Sequence, residues 1–466
     1  MKSNTNIVFL LLLALAFISC SSSEDNPNPD PKPNPDPDPV YQQYGEPFAN
    51  MPKSTDATIY QVNIRAFSSE GTLKGVEKRL DSIKKLGVNV VYLMPVYPVG
   101  QVKKSGKLGS PYSVKDYKAV NPDFGTLEDL RSLVNESHKR NMAVILDWVA
   151  NHTSWDNKWI TEHSDWYQKD ASGNIIIPPG TNYNDVAQLN FNNAQMKTAM
   201  IDAMSYWVYN ANIDGFRCDY ADFVPTAFWT QAVSTVRKIK NQNVLMMAEG
   251  TRAENFTAGF DYNFGFGFFD SLKKVVANGQ PASNLQTQNT KEYGTTSTGR
   301  IVRYTSNHDV NLSDGTPIEL FGGKKGSLAA FVVAFSMNSI PMIYNGQEVG
   351  YNKRIDYFDR TPIDWSTADY AMLKEYKNLI AFRNSSDALR KGKLTGYSNT
   401  DVSAFIMQTD TEKVLVVVNL RNNAVTYGAA TGIANTTWKN ALTGESFEIT
   451  NQIKLEAYQY LILKKQ

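Results

Sequence analysis

The sequence predicts an α/β fold, a (β/α)8 TIM barrel followed by an antiparallel β-sandwich domain, and three observations predict it. Apolar, strand-like runs alternate with segments of helical spacing from about Thr58 to Asn384, as repeated β–α units require. Four of those runs end in short segments that carry an acid, an Arg, an Asn or a His: DWVANH (Asp147–His152), GFRCD (Gly215–Asp219), MMAEG (Met246–Gly250) and SNHD (Ser306–Asp309). A parallel barrel collects the C-terminal ends of its strands at one face and builds its site there. Beyond Asp387 the texture changes to short alternating runs, Val402–Gln408, Val414–Asn419 and Tyr458–Leu463, which read as antiparallel strands.

Thr58–Arg65 reads as the first strand. Gly75–Leu86 sets Val76, Leu80, Ile83 and Leu86 on one helical face, with Gly87 as its cap. Val88–Pro95 is almost continuously apolar, as a parallel strand covered on both faces must be. Thr126 N-caps a helix that runs to Arg140, with Asp129 in its first turn, and Ala143–Asp147 is the third strand. From Thr153 to about Asn190 no regular pattern appears, and a loop of that length is often functional. A helix over Gln195–Asn210, the fourth strand Ile213–Asp219, a helix over Thr226–Lys240 and the fifth strand Asn243–Glu249 follow. Gly259–Asn263, Arg300–Thr305 and Ile340–Tyr344 read as strands six to eight, and Tyr370–Asn384 as the closing helix.

The chain has 466 residues, 42% hydrophobic and 20% charged, enough to bury a large core. A formal net charge of +1 offers no electrostatic reason to expect nucleic acid or an anionic substrate. Of the 24 Tyr and 8 Trp most belong in the core, although aromatic faces can also stack on sugar rings. Cys20 and Cys218 are the only cysteines, one in an export signal and one in a barrel strand, so the fold does not depend on a disulfide.

Lys2, the apolar run Val8–Ile18 and Ser19-Cys20 make a secretory signal, too short for a membrane span. The cysteine after a small residue resembles a bacterial lipoprotein box, with Phe17 where an aliphatic residue is usual. Ser21–Pro39 alternates Pro with Asn or Asp and favours an extended spacer, roughly 60 Å long at about 3.1 Å per residue. The expectation is an exported, lipid-anchored protein facing the cell surface, touching the membrane through that anchor alone. The expected division is 1–19 signal, 20–45 attachment cysteine and linker, 46–386 barrel with an insertion at 153–190, and 387–466 β-sandwich.

In order and content the four segments resemble those of the α-amylase family of glycoside hydrolases, family 13, and the resemblance runs from about Thr58 to the end. The family carries a small domain after the third barrel strand, where this chain has its irregular stretch. The resemblance implies Asp219 as nucleophile, Glu249 as general acid/base and Asp309 as the third carboxylate. It also implies that His152 and His308 hold sugar hydroxyls and that Tyr112, in GSPYSVKDY, is a stacking platform. Arg217, two residues before Asp219 and so on the same strand face, would keep it ionised, and Asp147 would orient Arg217. Asp116 and Tyr117, NPDFGT (Asn121–Thr126), AQLN (Ala187–Asn190) and FDRTPIDW (Phe358–Trp365) also match the family. His138 and His163 read as surface or loop residues.

The pattern departs from the family after the nucleophile. Many members have Lys-His where this chain has Asp222-Phe223, so binding on the leaving-group side is expected to differ. Asn151 matches the usual calcium-binding Asn, and Asp165, Asp170 or Asp185 would have to help supply the six to eight oxygens calcium takes. Catalysis itself needs no cofactor. The implied activity is retaining, endo-acting cleavage of α-1,4 bonds in α-glucans; the alternative is a neopullulanase-like or transglycosylating enzyme acting on maltodextrins. An exo-acting α-glucosidase fits less well, because a short insertion closes a pocket poorly. A non-catalytic glycan-binding lipoprotein would have lost Asp219 or Glu249, and both are present.

Overall fold

The computed structural model describes residues 41–239, 243–296 and 298–465. The export signal, Cys20 and the Pro-rich spacer lie outside the described residues. Eight parallel strands close a barrel: β1 (Ile59–Val62), β2 (Val90–Leu93), β3 (Ala143–Val149), β6 (Gly215–Asp219), β7 (Leu245–Ala248), β8 (Tyr262–Phe264), β9 (Arg300–Arg303) and β10 (Ile340–Tyr344). They follow one another around the barrel in chain order, and β10 pairs with β1. Most strand residues are buried, which is why these segments read as apolar runs rather than alternating ones.

Local chemistry sets several boundaries. Thr126 caps the helix Leu127–Lys139 in a reciprocal capping box with Asp129. The helix expected over Gly75–Leu86 is two, Leu73–Glu77 and Leu80–Lys85, broken beside Arg79, whose guanidinium lies over the Trp365 ring at 3.9 Å. The sixth strand lies further along than Gly259–Asn263. Gly259, at φ +106°, ends the short helix Glu254–Ala258, and only Tyr262–Phe264 pairs with its neighbours. The helices Phe266–Ala277, Ser283–Tyr293 and Gly323–Ser336 are additional to those expected, although Phe268, Phe269, Leu272 and Val275 give the first a helical apolar face. The last is buried along most of its length, so it shows no polar face to mark its period.

The stretch after β3 is more ordered than its sequence suggests. Two short strands, β4 (His152–Ser154) and β5 (Val186–Gln188), pair antiparallel and zip its two ends together. Each is three residues long, below what a period-2 pattern can reveal.

Beyond the barrel, β11 (Lys393–Gly396), β12 (Val402–Gln408), β13 (Lys413–Asn419), β15 (Thr436–Asn440), β16 (Ser446–Ile449) and β18 (Tyr460–Lys464) form a six-stranded antiparallel sheet. β14 (Val425–Gly428) and β17 (Gln452–Leu455) form a separate pair. Alternation along β12 and β13 decides how the layers stack. Phe405, Met407, Val414, Val416 and Val418 join the barrel's core, whereas Ala404, Ile406, Leu415 and Val417 pack with Tyr427, Ile453 and Leu455 of the small sheet. Arg421 ties the layers further, donating to the carbonyls of Val275 (2.7 Å) and Gln280 (2.8 Å).

Candidate active site

The register of the barrel assembles a charged cluster at its C-terminal face. Arg217 and Asp219 sit two apart on β6 and share a face, and the pairing of β3 with β6 sets Asp147 directly beside Arg217. Glu249 follows β7 immediately. Asp309 and His308 open the helix His308–Ser313, whose N-cap Asn307 accepts from the backbone N–H groups of Asp309 (3.0 Å) and Val310 (2.9 Å).

One guanidinium serves three carboxylates. Arg217 Nη1 donates to Asp147 Oδ1 at 2.6 Å and to Asp219 Oδ1 at 3.0 Å, while Nη2 pairs with Glu249 Oε1. Arg217 and Asp147 are wholly enclosed. Burial and the neighbouring Glu249 carboxyl push Asp219 well above the usual carboxylate range, and Arg217 pulls it back only in part. Asp147 is likewise raised by burial against the pull of Arg217. The single Arg217 charge is therefore divided among three carboxylates rather than given to Asp219 alone.

A second group stands beside it. Tyr112 Oη donates to Asp147 Oδ2 at 2.9 Å and lies 2.7 Å from His308 Nε2, with the two rings stacked at 5.2 Å. Gln61 Nε2 donates to His308 Nδ1 at 2.9 Å, so this network places the imidazole proton on Nε2. Burial lowers both His152 and His308 to about 4, so both are neutral near pH 7. Tyr92 also donates to Asp147 Oδ2 (2.6 Å), and Tyr357 Oη donates to Asp309 Oδ1 (3.2 Å). Sequence reasoning missed Gln61, Tyr92 and Tyr357. Tyr92 could have been noticed as a hydroxyl inside an apolar strand, and Tyr357 stands just before the FDRTPIDW segment.

A cavity of about 690 Å³ opens here, lined by Tyr112, His152, Asp219, Glu249, His308 and Asp309 among others. Arg217 and Asp147 support it from below. Asn151 instead faces Gln188: its Nδ2 donates to Gln188 Oε1 (3.1 Å), and Gln188 Nε2 donates back to Asn151 Oδ1 (3.2 Å). Asp165 accepts from Asn193, and Asp170 folds its own loop through Ser172 and Asn174. These residues do not fit a calcium ion: the Asn151 oxygen is engaged, and no group of three or more His, Cys, Asp and Glu converges among the described residues. His138 is also corrected. It is half-buried, 2.7 Å from Asp214 Oδ2 and stacked on Phe48.

The family model "Alpha amylase, catalytic domain" matches residues 42–178 and 180–429. The chain belongs to the alpha-amylase family. It is an α-amylase family glycoside hydrolase whose closed barrel and C-terminal sheet are shared with solved members. It is 26% identical over 443 residues to "Alpha-amylase 2" of Dictyoglomus thermophilum, covering 89% of this chain and 74% of that one. It is 27% identical over 468 residues to "Neopullulanase 2" of Thermoactinomyces vulgaris, covering 91% and 77%. Among solved structures, an alpha-amylase from Lactobacillus plantarum superposes with a TM-score of 0.80 at 26% identity, covering 89% of this chain and 99% of that one.

Proposed function

We propose that this family member is a retaining hydrolase of internal α-1,4-glucosidic bonds in starch-type glucans, held at the cell surface by a lipid on Cys20. The observation that carries the mechanism is the sharing of Arg217. Asp219 and Glu249 bind adjacent nitrogens of one guanidinium. That favours the spacing of roughly 5 Å used by retaining pairs over the roughly 6.5–9.5 Å of inverting pairs. Asp219 attacks the anomeric carbon while Glu249 gives its proton to the departing oxygen. Water then enters with Glu249 as base, and the Asp219 ester is cleaved. His152, His308 and Asp309 hold hydroxyls of the reacting ring, Tyr112 supports it, and no cofactor takes part.

A second reading, maltodextrin or pullulan cleavage in the manner of a neopullulanase, is favoured by the similarity to "Neopullulanase 2" and to a "Cyclomaltodextrinase" from Bacillus, 26% identical over 376 residues. Asp222-Phe223 in place of Lys-His points the same way. Incubation with soluble starch and separately with pullulan tests both. Mixed maltodextrins from starch with pullulan untouched support the first reading, and panose or maltotriose from pullulan the second. No product from either overturns both. Asp219→Ala should cut turnover by at least about a thousandfold while glucan binding persists.

A further inference from the structure

Four large apolar side chains stay exposed among the described residues, and two of them, Tyr183 (49%) and Phe223 (63%), line the active-site cavity. Phe223 stacks on Tyr220 with ring centroids 3.9 Å apart and planes within 9°. One face of Phe223 is thereby fixed and the other left to solvent. Tyr220 also lines the cavity and holds φ +51°, a left-handed conformation that costs a residue with a side chain roughly 1 kcal/mol. Two hydrogen bonds hold it there. Tyr220 N donates to Glu249 Oε2 at 2.8 Å, and Ala221 N donates to the Glu249 carbonyl at 3.1 Å. Asp222 also lines the cavity, but its carboxylate is occupied, since it accepts from Thr251 N (2.8 Å) and Asn255 Nδ2 (2.9 Å). The strained turn after Asp219 therefore presents an aromatic pair to the cavity, beside an Asp222 carboxylate already held by its own hydrogen bonds.

Its side of the cavity follows from Glu249. A general acid stands next to the oxygen that leaves, so a surface bonded to that carboxyl flanks the departing sugar. The Tyr112, His308 and Asp309 group flanks the ring that stays. We propose that Tyr220 and Phe223, faced by Tyr183, form the platform that binds the departing glucan and, in reverse, an incoming sugar acceptor. This rests on the glucan reading above and deepens it. With an acceptor on the platform, its hydroxyl oxygen bonds to the anomeric carbon and its proton passes to Glu249. The bond from that carbon to Asp219 breaks, and its electron pair returns to the carboxylate. A pre-stacked ring loses little freedom on binding, which favours a sugar over water at this step.

The test uses α-maltosyl fluoride as donor, whose leaving group needs no platform, and maltose as acceptor. The partition of the maltosyl unit between water and maltose is read by chromatography for wild type, Phe223→Ala and Phe223→Tyr. Phe223→Ala should lower the transfer-to-hydrolysis ratio about tenfold, the effect of one stacking contact of roughly 1.4 kcal/mol. Phe223→Tyr should stay within about twofold of wild type, since it keeps the ring. An unchanged ratio in Phe223→Ala, whether or not total turnover falls, would overturn the platform. Wild-type protein that leaves the fluoride unconsumed would instead overturn the glucan reading beneath it.

Discussion

Replacing Arg217 by Met removes the one cation paired with Asp147, Asp219 and Glu249 among the described residues while keeping most of the side-chain volume. Breaking a buried ion pair from one side costs about 3–5 kcal/mol, because the remaining charge is stranded. Arg217 and Asp147 are enclosed, so solvent screening does little to soften that figure. The loss should depend on pH. Asp147 and Asp219 are already raised above their unfolded values, and removal of Arg217 raises them further. A carboxyl raised on folding costs stability above its unfolded pKa, and the cost fades as pH falls through the folded value. Urea unfolding of wild type and Arg217→Met at pH 7 and pH 5 should therefore show a gap of about 3–5 kcal/mol that narrows at the lower pH. Asp147→Asn added to Arg217→Met should restore part of the loss at pH 7. A gap below about 1 kcal/mol, or one equal at both pH values, would refute the view that one guanidinium neutralises this cluster.

The neutral histidines give a second pH signature: unfolded, each takes a proton near 6.5, whereas folded His152 and His308 do so near 4. Stability is thus lost as pH falls across that window, and His152→Gln should flatten the wild-type decline by about 1.4 kcal/mol per pH unit; parallel slopes would refute it. The Asn151–Gln188 amide pair predicts that a strong chelator leaves the melting temperature unchanged, and a clear drop would show a bound ion. Gln188→Ala should cost about 1–3 kcal/mol in urea unfolding, since it strands a buried amide, and a neutral substitution would remove the pair from the account.

Sequence alone determined the barrel's alternation, the chemistry at its strand ends and the capping of the helix that starts at Thr126. Each of those signals is local: an apolar run, an acid after it, a Thr three residues before an Asp. It also located the departure at Asp222-Phe223, though as a loss of familiar side chains rather than a gain of an aromatic surface. Tertiary structure decided what depends on register and on neighbours distant in the chain. Pairing of β3 with β6 puts Asp147 against Arg217, and β7 brings Glu249 to the same guanidinium, so the charge that seemed to belong to Asp219 is shared. Three-residue strands drew Asn151 and Gln188 together and closed the position expected for calcium. Only packing showed that the helix Gly323–Ser336 is enclosed and that the central strands β12 and β13 of the C-terminal sheet are buried on both faces. Periodicity reports burial on one side of an element and is silent where both sides are covered.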